Sequence, residues 1–210
     1  VKVLILGAAG QVSRMLTERL LNETDAEVVL YARGAQSRLQ VTHDRVIIIN
    51  GDFKEKTKLV DVMSDVDVVY LNDMQSAQAT ETIISAMNEA GVKRLIGATV
   101  LGIYDEVAGA FGHWNEAMVG SSAPLFKAAA KVVEESDLNY TLLRLTWLYN
   151  QEGNEKYALT EKGEPFVGAQ VTRQAVARLV MDLLTEQTKS ISGSLGVSEP
   201  DTNWDKPSFY

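Results

Sequence analysis

Cysteine is absent from this 210-residue chain, and histidine occurs only twice, as His43 and His113. The first absence excludes disulfides, thiolate nucleophiles and Cys-ligated metal, and permits a reducing compartment. The second leaves two imidazoles far apart in sequence with no paired carboxylates around either, so no metal site is expected. Cationic side chains are in deficit as well: 20 Lys and Arg stand against 28 Asp and Glu, a formal charge of −8. That balance opposes a phosphate backbone, and no Lys/Arg cluster interleaved with aromatics overrides it. Nucleic acid is therefore not an expected partner. No apolar run nears the ~20 residues that span a bilayer, and the first residues open on a strand with no cationic lead or cleavable apolar region. The expectation is a soluble, cytoplasmic protein without membrane contact.

What is present is concentrated at the start. Val1-Lys2-Val3-Leu4-Ile5-Leu6 is a β-branched, apolar run that breaks on Gly7, turns through Ala8-Ala9-Gly10, and enters a helix at Gln11-Val12-Ser13. Gly7 can take a backbone conformation closed to residues with a Cβ. Gly10 lets the main chain approach a pyrophosphate while the helix offers free N–H groups and its positive dipole end. Ser13 stands where the tighter Gly-x-Gly-x-x-Gly motif has a third glycine, and is small enough for close helix-to-strand packing. Val12, Met15, Leu16, Arg19 and Leu20 mark one helix face. The ligand predicted by this shape is a dinucleotide.

The rest of the chain alternates. After the first strand, further strands are predicted at Glu27–Ala32, Arg45–Asn50, Asp67–Leu71, Arg94–Thr99 and Tyr140–Leu145, with Arg45–Asn50, the third of the chain, apolar on both faces, as a buried parallel strand requires. A helix with Thr80, Ile83, Ile84 and Met87 inward separates the fourth and fifth. Another covers Ser122 to Glu135 with Leu125, Ala129, Val132 and Val133 inward. Thr172 is placed to cap a final helix whose Ala175, Val176, Leu179, Val180, Leu183 and Leu184 face the core, and Ile191 to Val197 reads as a late strand. The expected fold class is α/β, a single doubly wound parallel sheet with its ligand crevice at the carboxyl ends of the strands. One domain is expected over 1–199, with a glycine-punctuated substrate-side region at 147–170 inside it and a loose tail over 200–210.

Second-strand chemistry speaks to the choice of nicotinamide. An acidic residue there accepts from ribose hydroxyls in NAD-selective folds; this chain has Arg33 and then Arg38, and a guanidinium matches phosphate geometry. NADP is favoured over NAD, unless Arg33 is only a solvated loop residue. Asp52 and Phe53 close the third strand, either as adenine contacts or as a turn. Asn72 ends the fourth, near the pyrophosphate or the nicotinamide ribose, or as a helix cap with Asp73.

These residues, with Lys127 and Tyr140-Thr141-Leu142-Leu143-Arg144, resemble those of an atypical short-chain dehydrogenase/reductase with a Rossmann fold, and more narrowly the NmrA-like and flavin-reductase-like NAD(P)-binding group. The resemblance runs from Val1 to about Val197. It implies that Gly7, Ala9, Gly10, Gln11 and Val12 hold the pyrophosphate, Arg33 the 2′-phosphate, Asp52 and Phe53 the adenine, with Asn72 nearby, and Thr99 and Lys127 the nicotinamide end. Candidate catalytic residues are Lys127, Thr99 and Tyr104. Carbonyl-reducing members of the group pair a tyrosine with a lysine four residues later, where the ammonium lowers the phenol pKa. Here that position is Ala123. The reading is thus an NADPH-dependent oxidoreductase passing hydride to a flavin, quinone or similar small acceptor, with Trp114, Trp147, Tyr149 and Phe166 available to stack on it and the Gly102 to Trp114 loop lining the pocket. The alternative is a non-catalytic NADP(H)-binding sensor that reports to a protein partner. The sequence leaves the oligomeric state open.

Overall fold

A computed structural model describes residues 1–185 and 193–210. Strand β1 (Lys2–Leu6) leads into helix α1 (Gln11–Glu23), followed by β2 (Glu27–Ala32), the short α2 (Ala35–Arg38), β3 (Val46–Asn50), α3 (Lys56–Val62), β4 (Val68–Leu71), α4 (Ala77–Ala90) and β5 (Arg94–Val100). Two successive helices, α5 (Gly109–Val119) and α6 (Ala123–Glu134), precede β6 (Asn139–Leu145), β7 (Trp147–Tyr149), β8 (Ala158–Thr160), β9 (Gln170–Thr172), α7 (Arg173–Thr185) and β10 (Gly193–Ser198).

The main sheet has the order β3-β2-β1-β4-β5-β6-β10-β8, parallel throughout except for β8, which runs antiparallel to β10. Strands β7 and β9 form a separate parallel pair. Alternating side chains of each strand feed two cores. Ile5, Leu30, Ile96 and Leu143 face α1 and α7; Leu4, Leu71, Leu95 and Leu142 face α3, α4 and α6. Chain direction across the sheet reverses at β1, so the loops after β1 and β4 diverge and leave a crevice between them.

Several expectations need correction. Strand β3 is an edge of the sheet: it pairs with β2 alone among the described residues, and its side chains are only partly covered, with Ile47 49% exposed. The inward stripe of α6 is centred on Ala129, Ala130 and Val133, which leaves Leu125 at its border in the first turn and exposed. The second half of the expected Gly102 to Trp114 loop, from Gly109, is the start of helix α5, held by buried Phe111 and Asn115. The tail over 200–210 is not loose. Thr202 and Pro207 are buried, the Thr202 carbonyl accepts from the Ala169 N–H, and Gln170 Oε1 accepts from both the Ser208 N–H and its hydroxyl. By contrast, Thr172 Oγ1 does cap α7, accepting from the Ala175 N–H at 2.9 Å. The late strand is present from Gly193; residues 191 and 192 lie outside the described residues.

Candidate functional site

The cradle after β1 has the geometry its glycines require. Gly7 sits at φ +81°, and its N–H and that of Ala8 both donate to the Tyr31 carbonyl, which fixes the turn against β2. Gly10 precedes α1 with no side-chain cap and no acid in the first turn, so the helix's leading N–H groups face outward with an uncompensated positive end. A Cβ on Gly10 would lie 2.3 Å from Asn72 Nδ2, since the Asn72 side chain lies across the loop from the far side of the crevice. Asn72 is itself oriented by Tyr70, whose hydroxyl donates to Asn72 Oδ1 at 2.9 Å. Full burial pushes the Tyr70 phenol well above its ordinary range, so it remains a donor. An uncapped helix start, a positive-φ glycine and a glycine where a Cβ would have to displace the Asn72 amide together fit a dinucleotide pyrophosphate.

Neighbouring residues frame this cradle. Val12 turns its side chain into the core, which leaves its amide as its contribution to the loop. Gln11 is exposed, and its Oε1 accepts from Asn150 Nδ2, whose Oδ1 accepts in turn from Arg173. Arg14, which the sequence did not single out, donates from Nε to the Ala9 carbonyl and from Nη2 to the Arg38 carbonyl, and Arg38 donates to the carbonyl of Arg33. This chain of main-chain contacts ties the loop after β2 to the cradle. The Arg33 guanidinium is exposed, with no hydrogen bond or ion pair among the described residues.

Asp52 is engaged in its own turn. Its Oδ1 accepts from the Lys54 N–H, its N–H donates to Glu55, and its carbonyl accepts from the Tyr31 hydroxyl at 2.7 Å. Phe53 is half-buried against the α3 side of the core. Tyr31 is pushed up to about 12, first by burial and then by the Glu55 and Asp52 carboxylates.

Beyond the cradle, the carboxyl ends of β5 and β6 open into a cleft of about 1090 Å³ walled by α5, the start of α6 and the tail. Lys127 and Ala123, one turn apart on α6, both line it, as do His113 and Arg173. Lys127 is exposed and has no ion pair among the described residues. Thr99 and Tyr104 are not brought to this lining. Thr99 Oγ1 is buried without a hydrogen-bond partner, and the Tyr104 hydroxyl donates to Glu134, with Arg144 and Lys162 over its ring at 5.1 and 4.3 Å. Burial raises that phenol pKa, and Glu134 adds to the rise. Phe166 is buried behind the wall, and Tyr149 donates to Glu199; neither lines the cleft.

Of the four rings the sequence singled out, Trp147 lines the cleft and Trp114 packs against it, and the tail adds Phe209 and Tyr210 to the lining. Trp114 and Trp147 meet at 4.7 Å between ring centroids, and the Tyr210 ring contacts both at 5.2 Å. Phe209 packs beside Tyr210 and Tyr149 at 5.4 and 5.5 Å. Trp147 is fixed by donating from Nε1 to Asn115 Oδ1. The signal that could have found Phe209 and Tyr210 is the crowding of three aromatic residues, these two and Trp204, into an otherwise polar tail.

Residues 7–187 match the NAD(P)H-binding family. The chain belongs to it. Among solved structures, one of a short-chain dehydrogenase/reductase from Veillonella parvula is 37% identical, covers 100% of this chain and 99% of its own, and superposes with a TM-score of 0.96. Another structure of a short-chain dehydrogenase/reductase from the same organism, in complex with NADP, is also 37% identical with a TM-score of 0.96, covering 99% of each chain. A Rossmann-fold NAD(P)-binding family protein from Shigella flexneri is 32% identical over 100% of this chain and 98% of that one, with a TM-score of 0.83. No curated protein matches. Within the family, this chain is of the short-chain dehydrogenase/reductase type. Among the described residues no helix is long and apolar enough to cross a membrane.

Proposed function

We propose that this chain is an NADPH-dependent oxidoreductase that passes hydride to a small acceptor able to draw its proton from water, such as a flavin or a quinone. The observation that carries the reading is the pairing of Lys127 with Ala123 in the cleft. A positioned phenol is worth about 10²–10⁴-fold in protonating a carbonyl oxygen, and an alanine methyl supplies none of it. Acceptors whose reduced form is protonated by solvent lose nothing by that substitution. NADPH supplies a hydride when bound and leaves as NADP⁺, while the acceptor gains two electrons and takes its remaining proton from water.

The protein's part is positioning. Main-chain amides of the glycine loop and α1 hold the pyrophosphate, and Asn72 closes over them. Arg33, with a free guanidinium and no acid beside it, receives the 2′-phosphate; the NADP carried by a 37%-identical relative supports that preference. Lys127 reaches the nicotinamide ribose, and the cleft walls keep the acceptor flat and dry against the nicotinamide. NADPH consumption with FMN, a quinone and a ketone panel tests the reading: turnover is expected with flavin or quinone and not with ketones. Arg33→Asp should weaken NADPH binding by roughly 10- to 100-fold, the value of a charge-assisted contact, and leave NADH unchanged. Tight NADPH binding with no consumption across the panel would overturn hydride transfer in favour of a redox sensor.

A further inference from the structure

The most exposed aromatic side chains are Trp204, Phe209 and Tyr210, and two of them, Phe209 and Tyr210, at 43% and 53% exposed, face the same cleft. Both are held against it by contacts. Gln170 Oε1 clamps Ser208 through two 2.8 Å hydrogen bonds, and the Tyr210 ring is held edge-on by Trp114 and Trp147 together. Trp147 is pinned by Asn115, so the ring assembly has a rigid backing on α5. Rigid, partly exposed rings at a cleft wall offer area and stacking with little ordering cost on binding. The cleft, at about 1090 Å³, lies at the upper end of the usual range for small-ligand pockets, room for more than a nicotinamide.

We propose that Phe209 and Tyr210, backed by Trp114 and Trp147, form the acceptor subsite, and that it takes a planar conjugated ring system. This rests on the hydride-transfer reading above and names where the acceptor lies and what shape it has. Lys127 and Ala123 line the same cleft, so an acceptor on the aromatic wall shares the space with the cofactor's reactive end. A saturated or bulky acceptor gains no stacking there. The wall therefore selects by flatness, in place of the selection by hydrogen bonding that a tyrosine at position 123 would impose.

The test uses protein saturated with NADP⁺, which occupies the cradle without turnover, in a Trp204→Phe background so that only Trp114 and Trp147 emit. Titration with menadione or FMN should quench that emission saturably. Phe209→Ala/Tyr210→Ala should weaken acceptor binding by on the order of tenfold while leaving NADP⁺ affinity unchanged. Should the double variant not fold, Phe209→Leu, which keeps apolar bulk without a ring, carries the same expectation. Unchanged acceptor affinity in these variants overturns the proposal, and so does an equal fall in NADP⁺ affinity, which would assign the rings to the nicotinamide. Failure of both planar probes to quench protein that binds NADP⁺ overturns it too. Wild type that binds menadione at this wall but not NADP⁺ would sink the cofactor reading and support the wall.

Discussion

Arg144 and Glu106 form an ion pair at 3.0 Å whose side chains are 0% and 5% exposed. Arg144 projects from the middle of the sheet and also donates to the Ser194 hydroxyl and carbonyl, while Glu106 accepts from the Gly102 N–H. The pair thus ties the β5–α5 loop, which lines the cleft, to β6 and β10. Glu106→Ala would leave a buried guanidinium uncompensated, a loss of about 3–5 kcal/mol. Urea denaturation should register that loss, and Arg144→Met/Glu106→Leu should recover most of it. A double variant as unstable as the single one would show that the pair itself, and not the unpaired charge, sets the cost.

Gly10 has φ −66°, so alanine is allowed there by backbone conformation, and the obstacle is Asn72. Gly10→Ala should retain the fold and lose about tenfold in NADPH affinity, near 1.4 kcal/mol. Calorimetry on Gly10→Ala, Asn72→Ala and the double variant gives the diagnosis. If the conflict is steric, the double variant binds no worse than Asn72→Ala alone, a clear departure from additivity.

Tyr31 carries a pH signature. Its folded-state pKa, about 12, lies above the ordinary phenol value of about 10, so the unfolded chain releases this proton first. The resulting stability is fully present below about pH 10 and is lost as pH climbs toward about 12. Urea midpoints measured just below pH 10 and near pH 12 should fall over that window. Tyr31→Phe should shrink the fall without abolishing it, because the Tyr70 phenol is raised as well. A fall of unchanged size would remove Tyr31 from the account.

What the sequence made legible was local. The strand-turn-helix at Gly7 to Gln11, the alternation behind it, the Thr172 cap and the alanine one turn before Lys127 all depend on residues within a few positions of one another. The misses depend on distant partners. The first half of helix α5 fell within the expected Gly102 to Trp114 loop, yet buried Phe111 and the Asn115–Trp147 bond hold it as a helix. Tyr104 stands next in sequence to cleft-lining Ile103, but Glu134, thirty residues on, decides where its hydroxyl points. The tail has no periodicity of its own; Gln170, Trp114 and Trp147 give it its conformation.

Gln170 anchors the segment that carries the ring wall to a strand leading into α7, so the two parts of the proposed site stand far apart in sequence: the phosphate cradle within residues 7–72, the ring wall at 209–210. On the reading proposed above, substitutions at 209 and 210 can therefore change which acceptor fits while the nucleotide cradle, built from other residues, stays as it was.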